Sequence, residues 1–207
     1  MITKPRDYDT AQAFNGEIET IPVGGHICRI IGAKVEETKD SHLPMIALQL
    51  EIADGTKLDG YYKRRFDYIK RSRVDAKWPG IYRTTITNPD GNTRGVFKGL
   101  ITSIEDSNPG FHFEWEERSL MGKMVGFNFG EEEYPKSDGT VGVTVKPRFA
   151  LSVAKVKAGD FRILERKTLD TNGRHSASTT RIGGFDFTQV PPPDDSNLPG
   201  DDDLPFD

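Results

Sequence analysis

Cysteine is almost absent from this chain: Cys28 is the only one among 207 residues, and it sits in an apolar run. No intramolecular disulfide and no multi-cysteine metal site can be built from one thiol, and Cys28 is expected to act as a small buried hydrophobe. Long apolar runs are missing too. Nothing approaches the roughly 18 residues of a membrane-spanning helix, and the opening stretch MITKPRDYD lacks the apolar segment of a secretion signal. The expectation is a cytoplasmic protein that does not enter a membrane. The four histidines, His26, His42, His112 and His175, are scattered, with no H-x-x-x-H pair, and are expected on the surface. No G-x-S-x-G, P-loop or G-x-G-x-x-G pattern occurs, and the carboxylate runs at 114–117 and 131–133 read as solvated faces. Neither an enzyme nor a cofactor is implied.

What is present is turn-forming and extended sequence. Twenty-one glycines and 13 prolines, with 35% hydrophobic and 29% charged residues, suit a turn-rich β protein with extensions rather than a helical bundle. The length fits one domain. The net charge of −4 conceals a segregation: residues 194–207 hold six aspartates and no base, whereas residues 55–98 hold eleven bases against four acids. A basic middle is thus separated from an acidic end.

The period of the apolar residues divides the chain. Residues 1–25 have no sustained period and read as an N-terminal arm closed by Pro22, Gly24 and Gly25. Residues 26–36 are rich in Ile and Val, and residues 44–53 alternate, with Ile46, Leu48, Leu50 and Ile52 on one face; these are strands one and two. Asp54-Gly55 signals a turn, and residues 57–68 (KLDGYYKRRFDY) are expected as the third strand of a meander, followed by a short strand at 80–87. Val96, Phe97, Leu100, Ile101 and Ile104 recur at helical spacing, with Asn92 or Thr93 placed to cap the start and Asn108-Pro109-Gly110 to stop the helix. Residues 123–133 and 141–156 alternate again as strands four and five, with Phe127, Phe129 and Phe149 on their core face. Three strands, a helix and two strands match the five-stranded Greek-key barrel called the OB-fold, so the domain is placed at residues 26–167. Residues 168–207 lose periodicity and are expected to be a disordered tail, with Phe185 and Phe187 as a local exception.

Holding single strands without reading sequence requires cations that follow phosphates and aromatic faces on which unpaired bases stack. Residues 61–66 supply both, because strand alternation would put Tyr61, Lys63 and Arg65 on one side and Tyr62, Arg64 and Phe66 on the other. Lys70, Arg71, Arg73, Lys77, Trp78, Tyr82 and Arg83 continue the mixture, and Lys146 and Arg148 extend it on strand five. Part of this set must serve the core, with Phe66 and one of the two tyrosines the candidates. The segment is expected to be a surface for single-stranded DNA.

The acidic end finishes in Asp201-Asp202-Asp203-Leu204-Pro205-Phe206-Asp207. A purely solvating tail has no need of Leu204, Pro205 and Phe206, whereas an aromatic anchor beside carboxylates suits a basic-rimmed apolar pocket on a partner. This tip resembles the C-terminal tip of bacterial single-stranded DNA-binding proteins, a run of aspartates followed by an aliphatic residue, Pro and Phe. Phe97-Lys98-Gly99-Leu100-Ile101, Leu120-Met121-Gly122-Lys123 and Phe129-Gly130-Glu131-Glu132-Glu133-Tyr134 in the body are similar to single-stranded DNA-binding and related proteins encoded by phages and prophages of Gram-positive bacteria. The resemblance implies a protein that coats and protects single-stranded DNA in a bacterial host cytoplasm and recruits replication, recombination and repair proteins through residues 201–206. In the bacterial tip the final Phe contributes its own carboxylate, whereas here Asp207 follows Phe206. An adaptor whose barrel binds protein while the tail mimics the host tip stays open as an alternative, as does an enzyme using the acidic clusters, and a homo-oligomer is compatible with the sequence. The same tail can fold onto the basic segment and compete with DNA. Deleting residues 194–207 is then expected to tighten DNA binding, most at low salt; unchanged binding across salt concentrations removes that role.

Overall fold

The β-branched run that follows Gly24 forms the first and longest strand of a computed structural model that describes residues 2–6, 8–10, 19–136 and 138–169. Among these residues the chain is mainly β, with elements in the order β1 (Gly24–Glu37), β2 (Pro44–Ile52), α1 (Tyr61–Ser72), β3 (Ile81–Thr85), α2 (Gly95–Ser107), a 3-10 turn (Glu117–Leu120), β4 (Met124–Pro135), β5 (Val141–Leu151) and α3 (Val153–Ala158). The strands make one antiparallel sheet in the order β3-β2-β1-β4-β5, which leaves β3 and β5 as its edges. No helix among the described residues is long and apolar enough to cross a membrane. The tail beyond residue 169, with its expected tip at residues 201–206, lies outside the described residues, as does His175.

β1 pairs with β4 through Gly24–Arg29 and with β2 through Cys28–Glu37, and a bulge between Ile30 and Gly32 shifts the register with β2. Ile46, Leu48, Leu50 and Ile52 are buried together as their alternation requires, facing Cys28 and Ile30 of β1 and Val125, Phe127 and Phe129 of β4. Burial raises the Cys28 thiol pKa well above its usual value, with the nearby Asp54 and Glu51 charges adding to the effect, so Cys28 is the inert core hydrophobe its setting predicts. α2 adds Phe97, Leu100, Ile101 and Ile104, each worth about 1.5–3 kcal/mol of burial. Asn108 fixes its far end: its side-chain amide donates to the carbonyls of Ile104 and Met124, both at 2.7 Å, while its Oδ1 accepts from the Met124 N–H at 3.0 Å.

Several expectations are corrected. Residues 57–68 are not the third strand; they are a turn followed by α1, and β3 lies within the short strand expected at 80–87. Tyr62, Phe66 and Ile69 recur at helical spacing, and Gly60, at φ 71°, supplies the left-handed turn before them. α1 has no local side-chain cap. Glu51, at the end of β2, takes that place: Oε1 accepts from the Tyr62 N–H at 2.9 Å and Oε2 from the Lys63 N–H at 2.8 Å. A carboxylate at this position satisfies orphan donors and complements the helix dipole. At the start of α2 the cap falls at Arg94 rather than Asn92 or Thr93, and the Arg94 guanidinium donates to Thr85 Oγ1 at 2.6 Å. β5 ends at Leu151 because Ser152 caps α3, accepting from the Lys155 N–H at 3.3 Å, and Gly159 ends it at φ 68°. Phe149 pairs with Asn128 and therefore lies on the opposite face from Phe127 and Phe129. His26 is buried, with Nε2 2.9 Å from the Pro22 carbonyl and its ring edge-on to Phe129. Ile21, in the expected arm, also packs into the core.

Replacing Glu51 with alanine is expected to lower the stability of the fold by about 1–2 kcal/mol in urea titrations with an unchanged slope, and glutamine by about half as much. A midpoint that does not move would show that α1 does not depend on this carboxylate.

Candidate functional site

The basic, aromatic segment folds as a helix and a turn rather than as a strand, and the change of period sorts its side chains differently. With a repeat of 3.6 residues, Tyr61, Tyr62, Arg65 and Ile69 share the inner face of α1, while Lys63, Arg64, Tyr68, Lys70 and Arg71 turn toward solvent. The inner face is one wall of a groove of about 900 Å³. The turn after the helix, with Arg73, Asp75, Lys77 and Trp78, continues that wall; Val143, Thr144, Val145, Lys146 and Pro147 of β5 with Glu131 of β4 form the other, and residues 20–23 close one end. The groove thus lies between the two edges of the sheet, near the start of β3 at Ile81.

Its electrostatics favour an anion. Four cationic side chains, Arg65, Arg73, Lys77 and Lys146, face two carboxylates, Asp75 and Glu131. Both carboxylates are engaged: Asp75 lies 3.7 Å from the Arg73 guanidinium, and Glu131 Oε2 accepts from Arg166 at 2.7 Å. The remaining potential is positive and is screened only partly inside a concave wall.

The aromatic groups play unequal parts. Trp78 is half-buried, donates its indole N–H to the Leu50 carbonyl at 2.9 Å, and rests against Phe66 with ring centroids 5.4 Å apart. That bond fixes the ring at the groove wall. Both tyrosines, not one, belong to the core; they meet edge-on at 5.3 Å, and Tyr61 donates to the Glu19 carbonyl at 3.3 Å. Burial raises both phenol pKa values, Tyr62 well above the ordinary value, although Arg65 opposes the shift at each, so both stay neutral. Phe66 is half-buried under Lys70, whose ammonium lies 5.6 Å from the ring.

Of the residues expected to act together, Tyr61, Tyr62, Arg65, Arg73 and Trp78 line the groove, joined by Lys77 and Lys146. The others are placed elsewhere. Lys63 pairs with Asp67 one turn along α1 at 2.9 Å. Arg64 clamps the chain before the helix, with Glu19 at 2.9 and 3.0 Å, and donates to the carbonyls of Asp59 and Lys57. Lys70 and Arg71 are exposed near the end of α1, where they complement its dipole. Tyr82 stacks on Phe127 at 4.7 Å within the core, and Arg83, its neighbour along β3, points to the other face of the sheet. Residues 20–23 and β5 residues 143–145 were not legible as wall, because only long-range packing brings them there; the alternation of valines with Thr144 and Lys146 was the available signal.

Among the described residues no three His, Cys, Asp or Glu side chains gather where they could hold a metal ion. The groove offers flat apolar surface beside fixed cations, which suits a ligand alternating anionic groups with planar or apolar ones. No protein-family model matches the chain, and no curated protein matches it.

Tyr62 keeps its position because Gly80 has no side chain: a Cβ there would lie 2.5 Å from the Tyr62 ring and 2.6 Å from the Leu50 carbonyl. Gly80→Ala is therefore expected to cost about 1–3 kcal/mol and to shift Trp78 emission to the red, read by urea titration and fluorescence. An alanine variant as stable as the parent, with unchanged emission, would contradict this packing.

Proposed function

We propose that the groove between α1 and β5 binds single-stranded DNA without strong sequence preference, and that residues 201–206 recruit replication, recombination or repair proteins to it. The observation that carries this reading is that Arg65, Arg73, Lys77 and Lys146 line one groove with the fixed indole of Trp78 and outnumber Asp75, which pairs with Arg73, and Glu131, which Arg166 holds. Phosphates would follow the cations while a base stacks on the tryptophan, and neither contact selects a base. The strand order and the helix between β3 and β4 support reading the sheet as an OB-type barrel opened between β3 and β5, an architecture that binds oligonucleotides. The acidic end would then keep the protein anionic overall, in keeping with the coating role that the tip's resemblance implies. The apolar side chains Ile69, Val143 and Val145 favour a second reading, in which the groove takes an acidic peptide with an apolar anchor.

Fluorescence titration with oligo-dT separates the two. In a Trp115→Phe variant, Trp78 emission is expected to be quenched, with log affinity falling by about 3 per decade of salt if all four cations neutralise phosphates. Arg65→Ala, Arg73→Ala or Lys77→Ala should each reduce that slope by about 0.7, and Lys63→Ala should leave it unchanged. No binding at low salt overturns the single-strand reading and favours the peptide.

A further inference from the structure

Trp115 follows α2 and precedes the 3-10 turn, with its backbone in the left-handed region at φ 65°. A bulky non-glycine residue rarely adopts that conformation, and one that does is a pointer to function. The strain does not serve the core. Phe97 and Phe113 fill the space beneath and are 3% and 8% exposed, whereas Trp115, with ring centroids 6.5 and 5.8 Å from theirs, is 75% exposed. The two buried rings hold an indole out in water. Exposed Glu114 and Glu116 flank it, making an aromatic knob with an acidic rim.

The outer face of α1 has the complementary character. Tyr68 is 68% exposed, with Arg64 one turn before it and Arg71 one turn after. Lys63 is taken by Asp67 and Arg64 by Glu19, so Arg71 supplies the positive charge beside Tyr68. The two patches belong to elements that precede and follow β3. The turn after α1 leads into the first residue of β3, whereas Trp115 rests on Phe97 in the first turn of α2, which Arg94 ties to Thr85 at the last residue of β3.

We propose that a second copy of this chain docks the outer face of its α1, through Tyr68 and Arg71, onto Trp115 and its glutamate rim. Because the two patches are different surfaces, the docking proposed is heterologous, repeating head to tail from one copy to the next. Arg71 over the indole face gives the contact a cation–π component, and the charged rims make it sensitive to salt. The contact uses the solvent side of α1 and leaves the groove side open. The association needs no nucleic acid, so it stands or falls apart from the reading of the groove; if that reading holds, neighbouring copies on one strand would meet at high effective concentration.

Sedimentation velocity of the full chain without DNA, from low micromolar to sub-millimolar concentration, tests this. At low salt the average size is expected to rise steadily with concentration, and to return to the monomer at high salt. Trp115→Ser and a Tyr68→Ser/Arg71→Glu double variant should each weaken association at least about tenfold. Both sites are exposed, and circular dichroism verifies that the variants fold. Mixing the two variants in equal amounts is the decisive arm: one intact α1 face meets one intact Trp115, so dimers form and growth stops there. A wild-type chain that stays monomeric at low salt overturns the proposal, as does a mixture that stays monomeric or variants that associate like the parent.

Discussion

β1 is hydrogen-bonded to β4 along its first half and to β2 along its second, so the two sides of the sheet are joined through this strand alone. β3 and β5 pair outward from β2 and β4 and end as the two edges of the sheet. The bulge between Ile30 and Gly32 shifts the register, so that Ala33 pairs with Leu48 and packs against the core, while Val35 pairs with Ile46 and is exposed. A Cβ at Gly32 would lie 2.7 Å from the Gln49 amide oxygen, so the Gln49 side chain rests where a larger residue would displace it. The course of this strand sets the gap between β3 and β5, and the groove occupies that gap.

A second joint connects the sheet to the wall of the groove. Glu51 sits on the face of β2 opposite Leu50 and Ile52, and its carboxylate reaches the first amides of α1. Helix starts are ordinarily capped from within their own segment. Here the cap comes from the preceding strand, so the helix cannot shift along β2 without losing charge-assisted hydrogen bonds. The angle of α1, and with it the position of Arg65 over the groove, is therefore set by a residue that does not line the groove. The bond from the Trp78 indole to the Leu50 carbonyl anchors the far side of the same connection one residue earlier on β2.

These two joints also explain what was legible in the sequence. The mainly β character, the limits of β1, β2 and β4, the position of α2 and the burial of Ile46, Leu48, Leu50 and Ile52 follow from period and turn chemistry, which are local. The stretch at 57–68 reads as a strand because tyrosines favour strands and because two-residue alternation of Tyr61-Tyr62-Lys63-Arg64-Arg65-Phe66 puts a ring and a base on each side. Its helical start depends on Glu51, ten residues before Tyr61, and no local pattern reports such a contact. His26 was misplaced for a similar reason: only the fold brings Pro22, Asp54 and Phe129 around its ring. Of the site, the residue types were legible, but not their division between groove, clamp and core. Arg64 and Arg65 are adjacent bases in the sequence, yet one locks the chain to Glu19 and the other lines the groove.

The helical period makes α1 an element with two independent faces. Had residues 61–72 formed a strand, bases and rings would have faced both sides alike, and one surface would have been indistinguishable from the other. As a helix, the segment commits Tyr61, Tyr62, Arg65 and Ile69 inward and leaves Tyr68 and Arg71 outward. Charge is partitioned less sharply: Arg65 lines the groove, while on the outer side Lys63 is held by Asp67 and Arg64 by Glu19, leaving Lys70 and Arg71 near the end of the helix. The cations of the two sides, Arg65 inward and Arg71 outward, are different residues. Since both sides depend on the same start at Glu51, loosening that cap disturbs both together, whereas a substitution on either face acts on its own side alone.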